Sequence, residues 1–133
     1  MTGPVFALDL GSTALKGGIL DSDGRWRRQV SAPAPPLTGE GLIRESDPRA
    51  WLGLTARMYK DLAREMQPGS ALAIASQRSS FLLWEKLSGR PLTPLISWQD
   101  RRALDWCVPR MDEHARLPAS GLPLSPQDRK SVV

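Results

Sequence analysis

Val5-Phe6-Ala7-Leu8-Asp9-Leu10-Gly11-Ser12-Thr13-Ala14-Leu15-Lys16-Gly17-Gly18-Ile19-Leu20 is the stretch on which the fold turns. Val5 to Leu10 is a short, mostly apolar run ending in Asp9 and Gly11, which predicts a buried strand entering a turn. Leu15 to Leu20 follows as a second strand. Asp21-Ser22-Asp23-Gly24 predicts a tight hairpin, since Asp and Gly tolerate the backbone angles of a reversal. Trp26 to Ser31 gives a third strand, and the three make an antiparallel meander. At the end of the first strand a carboxylate, a glycine and two hydroxyl residues place N–H groups and hydroxyls where phosphate oxygens can sit. Asp9 can reach a magnesium ion, directly or through water, and Lys16 adds a positive charge for a polyphosphate. Neither G-x-x-x-x-G-K-[ST] nor G-x-G-x-x-G occurs, so the P-loop and the dinucleotide fingerprint do not apply. Taken alone, D-x-G-S-T also fits an ordinary glycine turn.

Outward from the meander, Ala32-Pro33-Ala34-Pro35-Pro36 lacks ladder donors and is expected to be loop. Asp47-Pro48 reads as an N-cap followed by proline at the first helical position. Trp51, Leu54, Met58 and Leu62 recur at helical spacing, one apolar face able to pack on the sheet, and Gln67-Pro68-Gly69 stops the helix. Ala71 to Ala75, small and apolar, predicts a fourth strand covered on both sides. Phe81 to Glu85 is expected as a fifth strand and Leu95 to Trp98 as a last one. A helix is expected from near Asp100 to about His114. The fold class is therefore α/β, a mixed sheet beginning with a three-stranded antiparallel meander and flanked by helices.

Composition bounds the rest. The 133 residues fit one domain with a real core, and the net charge of +4 comes with 14 Arg against 4 Lys, spread along the chain. Arg25, Arg27 and Arg28 are the nearest approach to a basic run and are expected to decorate the solvent face of a strand, so no nucleic-acid partner is inferred. Cys107 is the single cysteine, which excludes an internal disulfide and fits a reducing compartment. Met1 leads directly into the first strand with neither a basic segment nor a long apolar run, so no signal peptide or membrane span is expected and the cytoplasm is the default. His114 stands alone, so no histidine metal site is arguable.

A second cluster lies at Ala75-Ser76-Gln77-Arg78 and Ile96-Ser97-Trp98-Gln99-Asp100-Arg101-Arg102. Arg78 follows the predicted fourth strand and Trp98 ends the last one, and open α/β sheets place ligands at strand ends. An arginine can fork hydrogen bonds to vicinal hydroxyls, and an indole face packs against carbon-bound hydrogens. Trp98 in isolation also suits the core. Asp100 could equally be a helix N-cap, with Arg101 and Arg102 as solvated charges.

Together these residues resemble the FGGY carbohydrate kinases, and the glycerol kinase branch most closely. The resemblance runs from Ala7-Leu8-Asp9-Leu10-Gly11-Ser12-Thr13 through Glu45-Ser46-Asp47-Pro48-Arg49-Ala50-Trp51 and Ser76-Gln77-Arg78. It continues in Leu83-Trp84-Glu85-Lys86-Leu87-Ser88-Gly89-Arg90-Pro91 and Ser97-Trp98-Gln99-Asp100-Arg101-Arg102, and ends at Ser120-Gly121-Leu122-Pro123-Leu124-Ser125-Pro126. It implies a ribonuclease-H-like, actin-like ATPase domain, with ATP and Mg2+ bound between two such domains. It assigns Asp9, Gly11, Ser12, Thr13 and Lys16 to the phosphates, with Asp9 also serving the metal. It assigns Gln77, Arg78, Ser79 and Trp98 to a small polyol or sugar substrate. Glycerol kinases carry a Glu directly after that Arg, where this chain has Ser79; a carboxylate accepting two hydroxyl hydrogen bonds becomes a short hydroxyl, so a bulkier polyol or sugar is as plausible as glycerol.

The resemblance also implies what these residues lack. The general base is an Asp far downstream and the adenosine motifs lie in a C-terminal domain, so no catalytic residue is assigned here and the chain alone is expected to be inactive. Residues 1–127 are expected to be a partial N-terminal kinase domain, and the aperiodic 128–133 a non-native or disordered tail. Homo-oligomerisation of a full-length enzyme stays open. The alternative is a short non-catalytic module that binds a nucleotide or polyol; another actin-like ATPase such as a chaperone is disfavoured by the Trp98 to Arg102 segment.

Overall fold

Alternation decides which side of each strand is covered. In β1 (Val5–Leu10) Phe6 and Leu8 are buried, and in β2 (Ala14–Leu20) Leu15 and Ile19 are, so the apolar positions of both strands share one face. The computed structural model describes residues 3–110, which divide into two compact units: 3–36 with 47–77, and 37–46 with 78–110.

In the first unit, β1, β2 and β3 (Trp26–Pro33) form the expected meander. The hairpin between β2 and β3 is closed by the Gly24 N–H donating to the Asp21 carbonyl at 3.0 Å. The proline-rich segment is not wholly loop. Ala32 pairs with Leu15 and Pro33 with Ala14, and the Ala34 N–H donates to Thr13 at 3.0 Å. A proline is tolerated there because β3 is an edge strand whose outer donors have no ladder to fill.

Helix α1 (Pro48–Ala63) starts as the sequence indicates, with the Asp47 carboxylate accepting from the Arg49 N–H at 2.8 Å and Pro48 in the first turn. It ends at Ala63, before Gln67-Pro68-Gly69, and tight turns carry the chain through Met66. Met58 and Leu62 are buried against Phe6, Leu8, Leu15 and Ile19, with Trp51 and Leu54 packed at the margin. Gly17 lets the helix come this close: a Cβ there would stand 2.9 Å from Leu62 Cδ1 and 3.0 Å from Leu8 Cδ2. Arg28 adds a polar tie, donating to Asp61 at 2.6 Å and Glu65 at 3.1 Å. The expectation that it decorates a solvent face is corrected, because its strand position faces α1.

β5 (Ala71–Ser76) completes a mixed sheet of order β3-β2-β1-β5, running parallel to β1 from Val5↔Ala71 to Leu10↔Ser76. It is not covered on both sides. Leu72 to Ser76 are all exposed, since α1 is the helix packed on this sheet among the described residues and its buried contacts lie over β1 and β2. The meander, the mixed sheet and the flanking helix agree with the actin-like ATPase fold expected.

In the second unit β4 (Glu45–Ser46) pairs antiparallel with β6 (Leu95–Ile96). The expected strand over Phe81 to Glu85 is reduced to isolated bridges, Phe81↔Ile96 and Trp84↔Pro91, joined by the turn that Gly89 closes on Glu85. A short hairpin with Leu83, Trp84 and Leu87 exposed has no buried face to extend the pairing. The last predicted strand shrinks to Leu95–Ile96. The helix expected from Asp100 is α2 (Leu104–Cys107) followed by a 3-10 turn at Val108–Arg110, because Asp100 is engaged elsewhere and Ala103 caps the helix without a side-chain bond. His114 and residues 128–133 lie outside the described residues.

Candidate functional site

A carboxylate and an ammonium face one another on the side of the sheet that α1 leaves open. Asp9 at the end of β1 is the cross-strand partner of Lys16 at the start of β2, and both are exposed. Parity places them with Ala7 and Gly18, opposite the buried Phe6, Leu8 and Leu15. Neither Asp9 nor Lys16 takes part in an ion pair among the described residues. Gly11, Ser12 and Thr13 turn the chain between them. A Cβ at Gly11 would lie 2.8 Å from the Ala14 carbonyl, so this turn admits no side chain there without moving the backbone.

β5 brings Gln77 to the same end. Since β5 runs parallel to β1, both strands deliver their carboxyl ends to the Gly11-Ser12-Thr13 end of the sheet, and the Gln77 N–H donates to the Leu10 carbonyl at 3.2 Å. Below them the open face holds a hollow of about 620 Å3 whose lining includes Asp9, Lys16, Trp26, Gln29, Ser31 and Ala73. Trp26, Gln29 and Ser31 were not singled out in the sequence as lining residues; their place follows from the β2–β3 register, which aligns Ser31 with Lys16 and Gln29 with Gly18. Asp9 provides one exposed carboxylate and the turn two hydroxyls. Such a donor set fits Mg2+ held chiefly by phosphate and water, with one protein carboxylate.

In the second unit, Arg78, Ser79 and Trp98 are gathered locally. The Phe81 and Ile96 backbones exchange hydrogen bonds at 3.0 and 2.8 Å, and the Trp98 N–H donates to Ser80 Oγ at 3.0 Å. Arg78 and Ser79 thus sit next to a segment tied to the Trp98 backbone. Ser79 has φ of 63°, left-handed backbone that a residue other than glycine adopts at a cost. Trp98 is 41% exposed, so it is not the core residue that the alternative reading allowed.

Asp100 is the member of this segment whose importance was not legible beforehand. Its side chain has 0% exposure, and its carboxylate accepts from the Arg44 N–H at 2.8 Å and the Arg102 N–H at 3.0 Å. The Arg102 guanidinium donates to the same carboxylate at 3.0 and 2.7 Å and also reaches Glu45. Arg102 is therefore an exposed charge that is nonetheless paired. The Asp100 hydrogen bonds, then those to Glu45, hold its guanidinium above the ordinary arginine range. The Ser97 N–H donates to Arg44 and the Arg101 N–H to Leu42, so the segment carrying Trp98 is pinned along its length. Nothing local to Trp98-Gln99-Asp100 signals partners at positions 44 and 45.

Among the described residues no helix is long and apolar enough to cross a membrane, and no cluster of three His, Cys, Asp or Glu is placed to hold a metal.

Residues 5–126 match the profile of the FGGY family of carbohydrate kinases, N-terminal domain. The chain is 34% identical over 109 residues to an apulose kinase of Pectobacterium atrosepticum, covering 77% of this chain and 21% of that one. It is 32% identical over 111 residues to a glycerol kinase of Acinetobacter baylyi, covering 77% and 22%. The ligand-bound xylulose kinase of Lactobacillus acidophilus shares the fold, with a TM-score of 0.79 at 23% identity, over 94% of this chain and 26% of that one. The chain thus spans about a fifth of the length of the curated relatives named here.

Proposed function

The chain belongs to the FGGY family of carbohydrate kinases, and from that premise we propose that it supplies the phosphate-facing and substrate-facing parts of an enzyme moving the γ-phosphoryl of ATP to a hydroxyl of a small sugar or polyol. The observation that carries this reading is the Asp9–Lys16 pair across the open sheet face, with the Gly11-Ser12-Thr13 turn between them and, among the described residues, no ion pair on either one. Lys16 offsets charge on the phosphate oxygens, while the turn's N–H groups and the Ser12 and Thr13 hydroxyls donate to them. Mg2+, when bound, neutralises phosphate charge; Asp9 is the residue that would hold it, directly or through water.

Arg78 serves as the fork for paired hydroxyls and Trp98 as the apolar wall against ring or chain carbons. Ser79 stands where glycerol kinases have a carboxylate, which favours a substrate larger than glycerol. Among the relatives, the apulose kinase agrees with a sugar substrate and the glycerol kinase with a polyol. The general base and the adenosine contacts belong to a C-terminal domain on a longer polypeptide. The setting is the cytoplasm, where ATP is at hand and the buried Cys107 stays reduced.

Two measurements test this. The purified chain, given ATP, Mg2+ and either glycerol or pentuloses, should release no ADP above background in a coupled assay; turnover would overturn the half-site assignment. Equilibrium dialysis should show Mg–ATP retained weakly by the chain, and Lys16→Ala should lower that retention about tenfold, the loss of one charge-assisted contact. Equal retention by parent and Lys16→Ala would remove Lys16 from the phosphate site. Retention without turnover is also how a binding module would behave, and a longer reading frame carrying a candidate base separates the two.

A further inference from the structure

Residues 97–102 form neither helix nor strand, and a connection of that kind ordinarily leaves its amides to water. Here six consecutive N–H groups have acceptors within the protein. Ser97 donates to the Arg44 carbonyl at 3.0 Å, Asp100 to the Ser97 carbonyl at 3.0 Å and Arg101 to the Leu42 carbonyl at 2.9 Å. Trp98 donates to Ser80 Oγ at 3.0 Å, Gln99 to Ser97 Oγ at 3.1 Å and Arg102 to Asp100 Oδ1 at 3.0 Å.

Asp100 is the junction. Its second oxygen, Oδ2, accepts from the Arg44 N–H at 2.8 Å, and the Arg102 guanidinium bridges Oδ1, Oδ2 and the Glu45 carboxylate. One carboxylate thus ties the end of the Trp98 turn to residues 44 and 45. All of these groups belong to the second unit, and Ser97 and Asp100 are buried. Stability alone is a weak reason for this arrangement, because a buried ion pair roughly breaks even with apolar side chains of the same volume. What a buried carboxylate with fixed donors does supply is a single backbone geometry.

We propose that Asp100 is a positioning residue for substrate recognition: with Arg102 and Glu45 it holds residues 97–102 against residues 42–46, so that Trp98 meets the substrate with its backbone already set. The inference rests on the reading of Trp98 as the apolar wall of a sugar or polyol pocket. Trp98 lies two residues from Asp100 and its N–H is fixed on Ser80, so the Trp98 and Arg78 backbones are held at one spacing. A small sugar makes few contacts, and ordering a loose turn on binding would cancel much of what they yield. Asp100→Asn keeps the shape but leaves one oxygen for two N–H groups, and it sets an amide NH2 against the other.

The 133-residue chain carries five tryptophans, so labelling with 5-fluorotryptophan gives five 19F signals, that of Trp98 being the one lost in Trp98→Phe. Asp100→Asn should shift and broaden the Trp98 signal and leave those of Trp26, Trp51 and Trp84 in place. Titration with D-xylulose and with glycerol should move the Trp98 signal of the parent. The dissociation constant of whichever binds should rise about fivefold in Asp100→Asn, the cost of ordering one side chain on binding. Leu62→Ala, which destabilises the first unit, should change neither the Trp98 signal nor that constant. Glu45→Gln, which keeps Asp100 and weakens the hold on Arg102, should act in the same direction by about twofold, so the test survives an Asp100→Asn that fails to fold. In the parent, hydrogen exchange at the Trp98, Gln99 and Arg101 amides should be about a hundredfold slower than in an unstructured chain. A Trp98 signal indifferent to both substitutions, an affinity that Asp100→Asn leaves unchanged, the same changes in Leu62→Ala, or unprotected amides would each overturn the proposal. A Trp98 signal that neither D-xylulose nor glycerol moves in the parent would overturn the pocket reading and the proposal with it; that failure alone is read from the parent's titration.

Discussion

At Asp100 a single buried carboxylate holds two backbone N–H groups and the Arg102 guanidinium. Replacing it removes a buried charged acceptor and leaves two part-buried N–H donors unmet, a larger penalty than the loss of an exposed pair. Asp100→Ala is expected to cost about 2–3 kcal/mol in urea unfolding, and Asp100→Asn less, because the amide oxygen can still accept from one of the N–H groups. Equal losses for the two variants would mean that charge, and not acceptance, is what the site needs. Ser79 is the other residue whose cost is local: at φ 63° it is strained, and Ser79→Gly should be neutral or stabilising by about 1 kcal/mol. A clear loss of stability in Ser79→Gly would show that the hydroxyl makes up for the strain.

Helix α1 is held to the sheet by an apolar stripe, an N-cap and the Arg28 pairs. The stripe dominates. Leu62 is fully buried, and Leu62→Ala should cost about 2–5 kcal/mol, whereas Asp47→Ala should cost about 1 kcal/mol; chemical denaturation of both variants gives the order. The Arg28 guanidinium is held above the ordinary arginine range by its bond to Asp61, then to Glu65. A cation whose folded pKa is raised contributes stability that is present below its unfolded pKa and lost only as pH climbs through the folded value. For arginine that window lies far into alkali, so titration of Arg28 loosens nothing near neutrality. Parent and Arg28→Gln should therefore keep a constant difference in Tm from about pH 6 to about pH 9. A gap that closes on the alkaline side would assign the tie to another group. Added salt should narrow it, because both partners are partly exposed.

At the scale of the molecule, each of the two units has its own buried residues: Phe6, Leu8, Leu15, Ile19, Met58 and Leu62 in the first, Ile96, Ser97, Asp100 and Cys107 in the second. Leu62→Ala should speed hydrogen exchange at β1 and β2 amides more than at the paired Phe81 and Ile96 amides; uniform acceleration would show that the units unfold together. Much of the first unit was legible in the amino-acid order, because its signals are short-range: the apolar run into Asp9 and Gly11, the Asp21 to Gly24 reversal, the Asp47-Pro48 cap and the 3.6-residue stripe each act within a few residues. The Asp9, Gly11, Ser12, Thr13 and Lys16 grouping was legible for the same reason, since a hairpin brings its own ends together. The exposure of β5, the tolerance of Pro33, the turn of Arg28 toward α1 and the anchoring of Asp100 were not. Each depends on what lies across the sheet or tens of residues away, as Asp100 depends on Arg44 and Glu45. The sequence by itself determined the local conformations and the chemistry on offer. Tertiary structure decided which groups are buried, paired or left open, because burial and long-range hydrogen bonding are properties of neighbours in space, which chain order does not specify.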